Sequence, residues 1–492
     1  MTTAFLNKTC NALTLCQGIF LFTLSDENDI MRTGFTDEVK AMTHQDSPLG
    51  TAPVGKLVLQ LAIPAMLAQF VNILYSVVDR MYVGHIANAG DAALAGVGVC
   101  APVVTMITAL GALIGFGGGP LMSIRMGRRD MDGARQIVAN SFYLLLALSV
   151  MATVPLLVFR RQILFTFGCS EALWEYAEAY FTTYVSGTVF AVMSYGLNQI
   201  TMSQGFASTA MRSVMLGAAV NIALDPVFIF VLNMGVRGAA LATVFSQICS
   251  AAYILRFLLG GKAAVGITRQ PVNPGWMRRI VQVGLSPALI IALDNVLLIS
   301  VNIMLRRYGG ADSDMLIACA AVMQSFMLII TMPLGGITAG TQSILGYNYG
   351  AGNTKRIAQA FRGIILLCVV FCGIMFALAQ TVSGSFVRIF TRDPAYIDMA
   401  SYMIRTYSLG VLGLAIQYPA VDGMTGMGLI RWGLTFSMLR KGLFLVCVFV
   451  LPPLFGATAV MFSEPISDIT AAVVSACGLV YVLPRLLRRQ QV

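Results

Sequence analysis

The chain has 492 residues, of which 57% are apolar and only 11% are charged, whereas about a quarter are charged in a typical soluble domain. Apolar stretches of 18 or more residues recur along nearly the whole length, and each is about long enough to cross a hydrocarbon core of roughly 30 Å. The net charge of +10 therefore does not indicate a nucleic-acid partner, and we expect a lipid bilayer as the surrounding medium.

Metal and disulfide chemistry is not predicted either. Ten cysteines are scattered without a CxxC motif, and only His44 and His85 could supply imidazole. This pattern is typical of neither a disulfide framework nor a zinc site. We expect no cofactor.

Residues 1–50 differ from the rest because they are polar and of mixed charge. Their one apolar run, residues 15–24, is too short to span a membrane and does not make a good signal peptide. We expect a disordered N-terminal extension.

Twelve hydrophobic segments follow from Lys56 onward. They predict an all-α polytopic membrane protein with twelve transmembrane helices. The segments lie near residues 57–80, 93–118, 136–158, 172–195, 208–232, 238–259, 277–304, 315–338, 357–380, 396–418, 429–453 and 461–484.

The basic residues predict the orientation of these segments. If both termini are cytoplasmic, 20 of the 32 basic residues fall on the cytoplasmic side, including Arg440 and Lys441. The positive-inside rule favours this arrangement. The opposite side then holds seven: Arg160, Arg161, Arg237, Arg306, Arg307, Arg388 and Arg392.

The two halves of the chain are similar. An offset of 223 residues aligns Pro64 with Pro287, Asn72 with Asn295, Asp79 with Asn302, Gly117 with Gly340 and Gly127 with Gly350. We predict two parallel six-helix lobes, because six spans per repeat is an even number and such repeats are common in transporters. The predicted divisions are an N-lobe at 51–259, a cytoplasmic connector at 260–276 and a C-lobe at 277–492 with a short basic tail.

Acids within the spans are the candidate functional residues. Asp79 and Asp225 lie in the first half, and Asp294 and Asp422 lie in the second. A charged carboxylate at bilayer depth costs at least ~2.5 kcal/mol on insertion scales, so such acids normally face a cavity, a partner or an ion path. The alternative is a structural hydrogen bond between helices.

The segment NIALDPVFIF, residues 221–230, carries the clearest pattern. Asn221 lies one helical turn before Asp225 on the same face. Pro226 removes a backbone donor and displaces the carbonyl near residue 222. Together these oxygens predict a site for Na⁺, and the same carboxylate, away from water, could instead carry a proton.

Other polar residues within the spans are candidates for lining a cavity. These are Asn72 in the first half and Asn295, Asn302 and Gln324 in the second, with Gln342 and Asn348 as further polar residues that could simply join helices. Asp468 starts the last span, where we expect a capping or packing contact.

Several motifs resemble the multidrug and toxic compound extrusion (MATE) family, and most closely its bacterial branch of DinF- and MepA-like exporters. The resemblance covers roughly residues 52–489. It rests on SVVDRMYVGHI in the first span, NIALDPVFIF in the fifth, GVRGAALATVFSQ in the sixth and GITAGTQSILGYNYGAGNTKRI after the eighth.

The resemblance implies a cation-coupled antiporter, using H⁺ or Na⁺, that exports small organic cations and drugs by alternating access. It places Asp79, Asn221 and Asp225 in an N-lobe cavity, with a possible Na⁺ among them, and adds Thr243 from the sixth span. An equivalent fourth-span residue could be Tyr180, Tyr195 or Asn198. We expect a monomer in the bacterial cytoplasmic membrane.

Two alternatives remain. A lipid-linked or polysaccharide flippase would share the fold but should show a cationic groove, whereas the residues noted within these spans are mostly acidic. A membrane-embedded transferase would need an acidic metal motif such as DDxxD, and the sequence has none. Without a Walker motif, ATP does not drive transport directly.

Overall fold

The structure is a computed structural model that describes residues 47–86 and 90–485, and every regular element in these ranges is helical. Eleven helical stretches in this part of the chain are long and apolar enough to cross a membrane. The fourth span is formed by two shorter helices that meet at Gly187. These observations confirm the all-α polytopic fold with twelve spans.

The spans, labelled α1 to α12, follow one another in chain order. They are α1 Val54–Gly84, α2 Gly90–Gly127, α3 Met131–Val158, α4 Trp174–Ser186 with Thr188–Ser203, α5 Ala207–Pro226, α6 Gly235–Leu259, α7 Pro274–Tyr308, α8 Ser313–Gly350, α9 Thr354–Val387, α10 Pro394–Tyr407 with Val411–Gly426, α11 Ile430–Phe455 and α12 Ser463–Cys477.

Residues 47–50 were assigned to the disordered extension, and this is wrong for these four residues. Ser47 caps the short helix Pro48–Thr51, and Leu49 is only 2% exposed. The Arg356 side chain holds the start of α1 by donating to the Ala52 carbonyl at 2.7 Å. Residues 1–46 lie outside the described residues.

The connector also ends earlier than predicted. Asn273 accepts hydrogen bonds from the backbone of Gly275 and Trp276, and Pro274 occupies the first turn. Both features start a helix, so α7 begins three residues before the predicted segment.

α2 and α8 are longer than their hydropathy predicted, because the glycine-rich stretches after residues 118 and 338 remain helical.

Several helix boundaries recur at an offset of 223 residues, which confirms the parallel repeat. The matched boundaries are the ends Gly127 and Gly350, the starts Met131 and Thr354, the ends Ser203 and Gly426, and the starts Ala207 and Ile430.

The two lobes meet where α2 and α8 end. The first half of α1, including Leu57 and Leu61, is buried in the C-lobe core, and the start of α7, including Ile280 and Val283, is buried in the N-lobe core. At this end α2 and α8 touch backbone to backbone, since a Cβ on Gly127 or Gly350 would overlap a main-chain carbonyl of the facing helix. The protein is therefore closed at this end.

We expect Gly284→Ala to weaken this closure. The added methyl group would overlap the Leu113 carbonyl of α2, and overpacking of this kind typically costs about 1–3 kcal/mol. Hydrogen–deuterium exchange should rise in α2 around Leu113, and the thermal midpoint should fall. Gly373→Ala is the control, because a Cβ there meets no atom within 4 Å. Equal exchange rates and equal thermal midpoints in the two variants would contradict a tight contact between Gly284 and Leu113.

Candidate cation-coupling site

The structure brings the polar residues of α5 and α6 together inside the N-lobe. Asn221 and Asp225 are 1% and 0% exposed. The Asn221 amide donates to Asp225 Oδ1 at 3.3 Å and approaches Thr243 Oγ1 at 3.5 Å. Thr243 in turn donates to the Ala239 carbonyl at 3.0 Å. The predicted i, i+4 pair thus faces the hydroxyl of the neighbouring helix.

Asp79 joins this group from the last turns of α1. Its charge interacts with that of Asp225, so the two carboxylates repel each other when both are ionised. Asp79 Oδ1, Asn221 Oδ1 and Asp225 Oδ2 are buried, and none accepts a hydrogen bond in the described part of the chain. Buried acceptors without donors are unfavourable. A bound cation or proton would satisfy them.

Aromatic residues of α4 lie near Asp79. The Tyr180 and Tyr184 rings stack with centroids 5.9 Å apart and an angle of 7° between their planes. Tyr180 interacts electrostatically with Asp79, and the Gln247 amide donates to the Tyr184 hydroxyl at 3.2 Å. Aromatic faces next to carboxylates suit organic cations.

Three members of this group were missed in the sequence. A usable signal existed, because each lies four residues from a predicted member and hence on the same helical face. The three are Tyr75, four before Asp79; Tyr184, four after Tyr180; and Gln247, four after Thr243.

The proline beside Asp225 changes the helix. α5 ends at Pro226, and the chain continues as a π-helical turn, Val227–Val231. Phe230 in this turn packs edge-on against Tyr82 of α1, with ring centroids 6.3 Å apart. π-Helical turns occur frequently at functional sites. The π-helical turn after Pro226 thus packs against α1, so the segment that follows Asp225 contacts the helix that carries Asp79.

The remaining N-lobe candidates lie elsewhere. Asn198 donates to the Ala210 carbonyl at 3.2 Å and so joins α4 to α5. Asn72 donates to Gln69 of its own helix, and Tyr195 packs on α2 at Gly111. Of the three fourth-span candidates, the structure places Tyr180 beside Asp79.

The C-lobe acids differ because donors satisfy them. Asp294 forms an ion pair with Lys441, and Asp422 accepts hydrogen bonds from Thr338 and Gln342. Two further candidates, Asn302 and Gln324, are half-buried and make no hydrogen bond to any described residue. The Asn295 side chain lies outside what the structure describes.

A buried ionic cluster in the C-lobe was not predicted. Arg440 of α11 forms ion pairs of 2.6 Å with both Glu464 and Asp468 of α12. The Tyr407 hydroxyl donates to Glu464 at 3.1 Å, and the Arg440 guanidinium lies 5.9 Å from the Tyr418 ring centroid. This cluster, Arg440–Glu464–Asp468, joins α10, α11 and α12.

The assignment of Arg440 and Lys441 to the cytoplasmic side was therefore wrong. Both lie near the middle of α11 and are under 10% exposed. Of the two roles expected for Asp468, a cap or a packing contact, the structure shows a contact between helices, made by the ion pair with Arg440. The sequence did contain a signal for this cluster. Two basic residues lie inside the apolar segment 429–453, and two acids four residues apart, Glu464 and Asp468, lie in the next segment.

The two lobes thus offer different chemistry. The C-lobe carboxylates have guanidinium, ammonium, hydroxyl or amide donors, apart from Asp468 Oδ2. The N-lobe group leaves four buried oxygens, on Asp79, Asn221, Asp225 and Gln247, without a donor among the described residues. Of the two, the N-lobe group is better suited to take up an additional cation.

The comparisons with known proteins agree with this architecture. The chain is 25% identical to the multidrug export protein MepA of Staphylococcus haemolyticus, over 87% of this chain and 93% of the relative. It is 23% identical to MepA of Staphylococcus aureus, over 88% and 94%.

Among solved structures, one described as the outward-facing conformation of a multidrug resistance MATE family transporter of the MOP superfamily matches with a TM-score of 0.84 at 24% identity. A MATE crystal structure in the straight conformation matches with a TM-score of 0.84 at 25% identity. Each match covers 91% of this chain and 100% of the other.

The sequence model of the MatE family matches twice, at residues 64–227 and at residues 288–450, which is once in each half of the chain. Because these two matches cover more than half of the sequence, the protein belongs to the MatE family.

Proposed function

We propose that the protein is a cation-coupled antiporter that exports organic cations and other drugs by alternating access. The observation that carries the proposal is that buried oxygens of Asp79, Asn221 and Asp225 have no donor among the described residues. The names of the similar proteins, multidrug export proteins, support the cargo class. Family membership supports a transporter rather than an enzyme.

The coupling step follows from the repulsion between the two carboxylates. A proton or Na⁺ that enters the N-lobe cancels one of the two negative charges and so relieves this repulsion. α5 then bends at Pro226, because proline donates no backbone hydrogen bond and a π-helical turn interrupts the α-helical hydrogen-bond pattern directly after it. The bend narrows the cavity and expels the cargo.

The orientation in this proposal is that of the positive-inside rule, with both termini in the cytoplasm. Removing Arg440 and Lys441 leaves 18 basic residues on the cytoplasmic side against seven on the other. The closed end of the lobes, where α2 and α8 finish, is then the cytoplasmic end. The similarity to a structure described as outward-facing supports the assignment of the closed end to the cytoplasmic side.

A flippase is not favoured by the described residues. Arg440 and Lys441 bring positive charge into the membrane, but both are paired with acids. They therefore do not form a free cationic groove within the membrane, which a flippase would need to carry a lipid phosphate across.

Export of ethidium from proteoliposomes tests the proposal. An inward H⁺ gradient or an inward Na⁺ gradient, each imposed alone, should drive export by the purified protein, and one of the two should suffice. Protein-free liposomes and an uncoupling ionophore serve as controls. Export that needs neither gradient, or no export of ethidium and of a second unrelated cation, would contradict cation-coupled antiport.

A further inference from the structure

A cavity of about 200 Å³ lies between the lobes at their closed end. It is smaller than the roughly 300–1,000 Å³ typical of sites for drug-sized ligands, and it lies away from the acids of the N-lobe. α2, α7, α8 and the turn between α10 and α11 line it, through Arg125, Arg128, Trp276, Arg279, Tyr349 and Gly428.

The cavity carries an excess of positive charge. Arg125 pairs with Asp130 at 2.6 Å, and this acid also accepts the Gly133 N–H at 2.8 Å. The backbone bond from Gly133, helped by the charge of Arg125, holds the pKa of Asp130 below its usual range. Asp130 therefore stays ionised and neutralises one of the three arginines.

The other two arginines keep their donors free. Arg128 and Arg279 are exposed, and neither forms an ion pair or hydrogen bond with a residue that the structure describes. Arg128 lies within electrostatic range of Asp130, but that acid is already held by Arg125. Two planar guanidinium groups thus face one small cavity, and this geometry suits the oxygens of a phosphate.

Aromatic residues place the cavity at the membrane surface. Trp276 begins α7 and Tyr349 ends α8, and these residue types concentrate at the level of the lipid headgroups. The Trp276 ring is fixed, since its Nε1–H donates to Gln136 at 3.0 Å and the Arg125 guanidinium lies 4.9 Å above it. Two side chains of the cavity wall, Trp276 and Arg125, are therefore held in place before a ligand arrives.

We propose that this cavity binds the phosphate of an anionic phospholipid headgroup and so stabilises the conformation that is closed at this end. Basic pockets between transmembrane helices are suited to anionic headgroups. Arg128 directly follows the end of the N-lobe helix α2, whereas Tyr349 belongs to the C-lobe helix α8. A ligand that contacts both lobes binds the closed arrangement better than a separated one and shifts the population towards it.

The test measures binding of fluorescent phosphatidylglycerol to the full-length protein in phosphatidylcholine nanodiscs. The double variant Arg128→Gln with Arg279→Gln should bind the lipid about fivefold more weakly for each arginine lost. The control, Arg269→Gln with Arg278→Gln, removes the same charge from exposed residues that do not line the cavity. It should bind like the unaltered protein.

Three results would overturn the proposal. The first is equal binding of labelled phosphatidylcholine, and the second is an equal loss in both double variants, which would mean unspecific attraction to a basic surface. The third is full competition by inorganic phosphate or glycerol phosphate at the same concentration as the lipid, which would assign the cavity to a soluble phosphate. Because no step requires transport, failure here is distinguishable from failure of the proposed antiport.

Discussion

Asp225→Asn is expected to reduce gradient-driven export to the level of protein-free liposomes while leaving the fold intact. The amide keeps the size of the carboxylate and an oxygen that can accept from Asn221, but it can neither ionise nor release a proton. Export of ethidium checks the expected loss of transport, and the thermal midpoint and the elution profile check that the fold is intact.

Asp398→Asn is the matched control for this substitution, because Asp398 is an exposed acid of α10 with no ion pair to a described residue. It should export normally. Unchanged export by the Asp225 variant would make Asp225 a structural residue, since the site argument rests on its ionisation.

Arg440→Met should cause the largest loss of stability. It leaves Glu464 and Asp468, which are 8% and 0% exposed, as uncompensated acids within the membrane. Breaking a buried ion pair by removing one partner costs about 3–5 kcal/mol. We expect a lower thermal midpoint and a smaller yield of monodisperse protein than for Arg431→Met, which removes an exposed arginine of the same helix.

A compensated variant separates stability from transport. Arg440→Met combined with Glu464→Gln and Asp468→Asn removes all three charges, and buried ionic groups can often be replaced by neutral ones without loss. This triple variant should regain most of the stability and should export. A folded but inactive triple variant would show that the cluster takes part in coupling, contrary to the N-lobe account.

The acid group of the N-lobe was predictable because its signals are local. Asn221, Asp225 and Pro226 lie within six residues of sequence, and one helical turn predicts which of them share a face. That Asp79 of another helix joins them was implied only by the family resemblance, and in the structure its charge interacts with that of Asp225. The residues missed, Tyr75, Tyr184 and Gln247, follow the same four-residue rule.

The C-lobe cluster was harder to predict because it joins distant segments. Arg440 and Lys441 resemble cytoplasmic positive charges when residues are counted by segment, and only packing shows that acids of α7 and α12 reach them. The helical ends of α2 and α8 were missed for a similar reason. Glycine is unfavourable in an isolated helix, but here its lack of a side chain lets the two lobes touch.

Export by Asp79→Asn, by Asp225→Asn and by the double variant tests the central claim most directly. If the two acids form one cation-binding unit, each single variant should lose gradient-driven export and the double variant should lose no more. Asp294→Asn and Asp422→Asn, measured in the same proteoliposomes, should still export. Normal export by both N-lobe variants, together with loss of export in either C-lobe variant, would contradict the account and place the coupling site in the C-lobe.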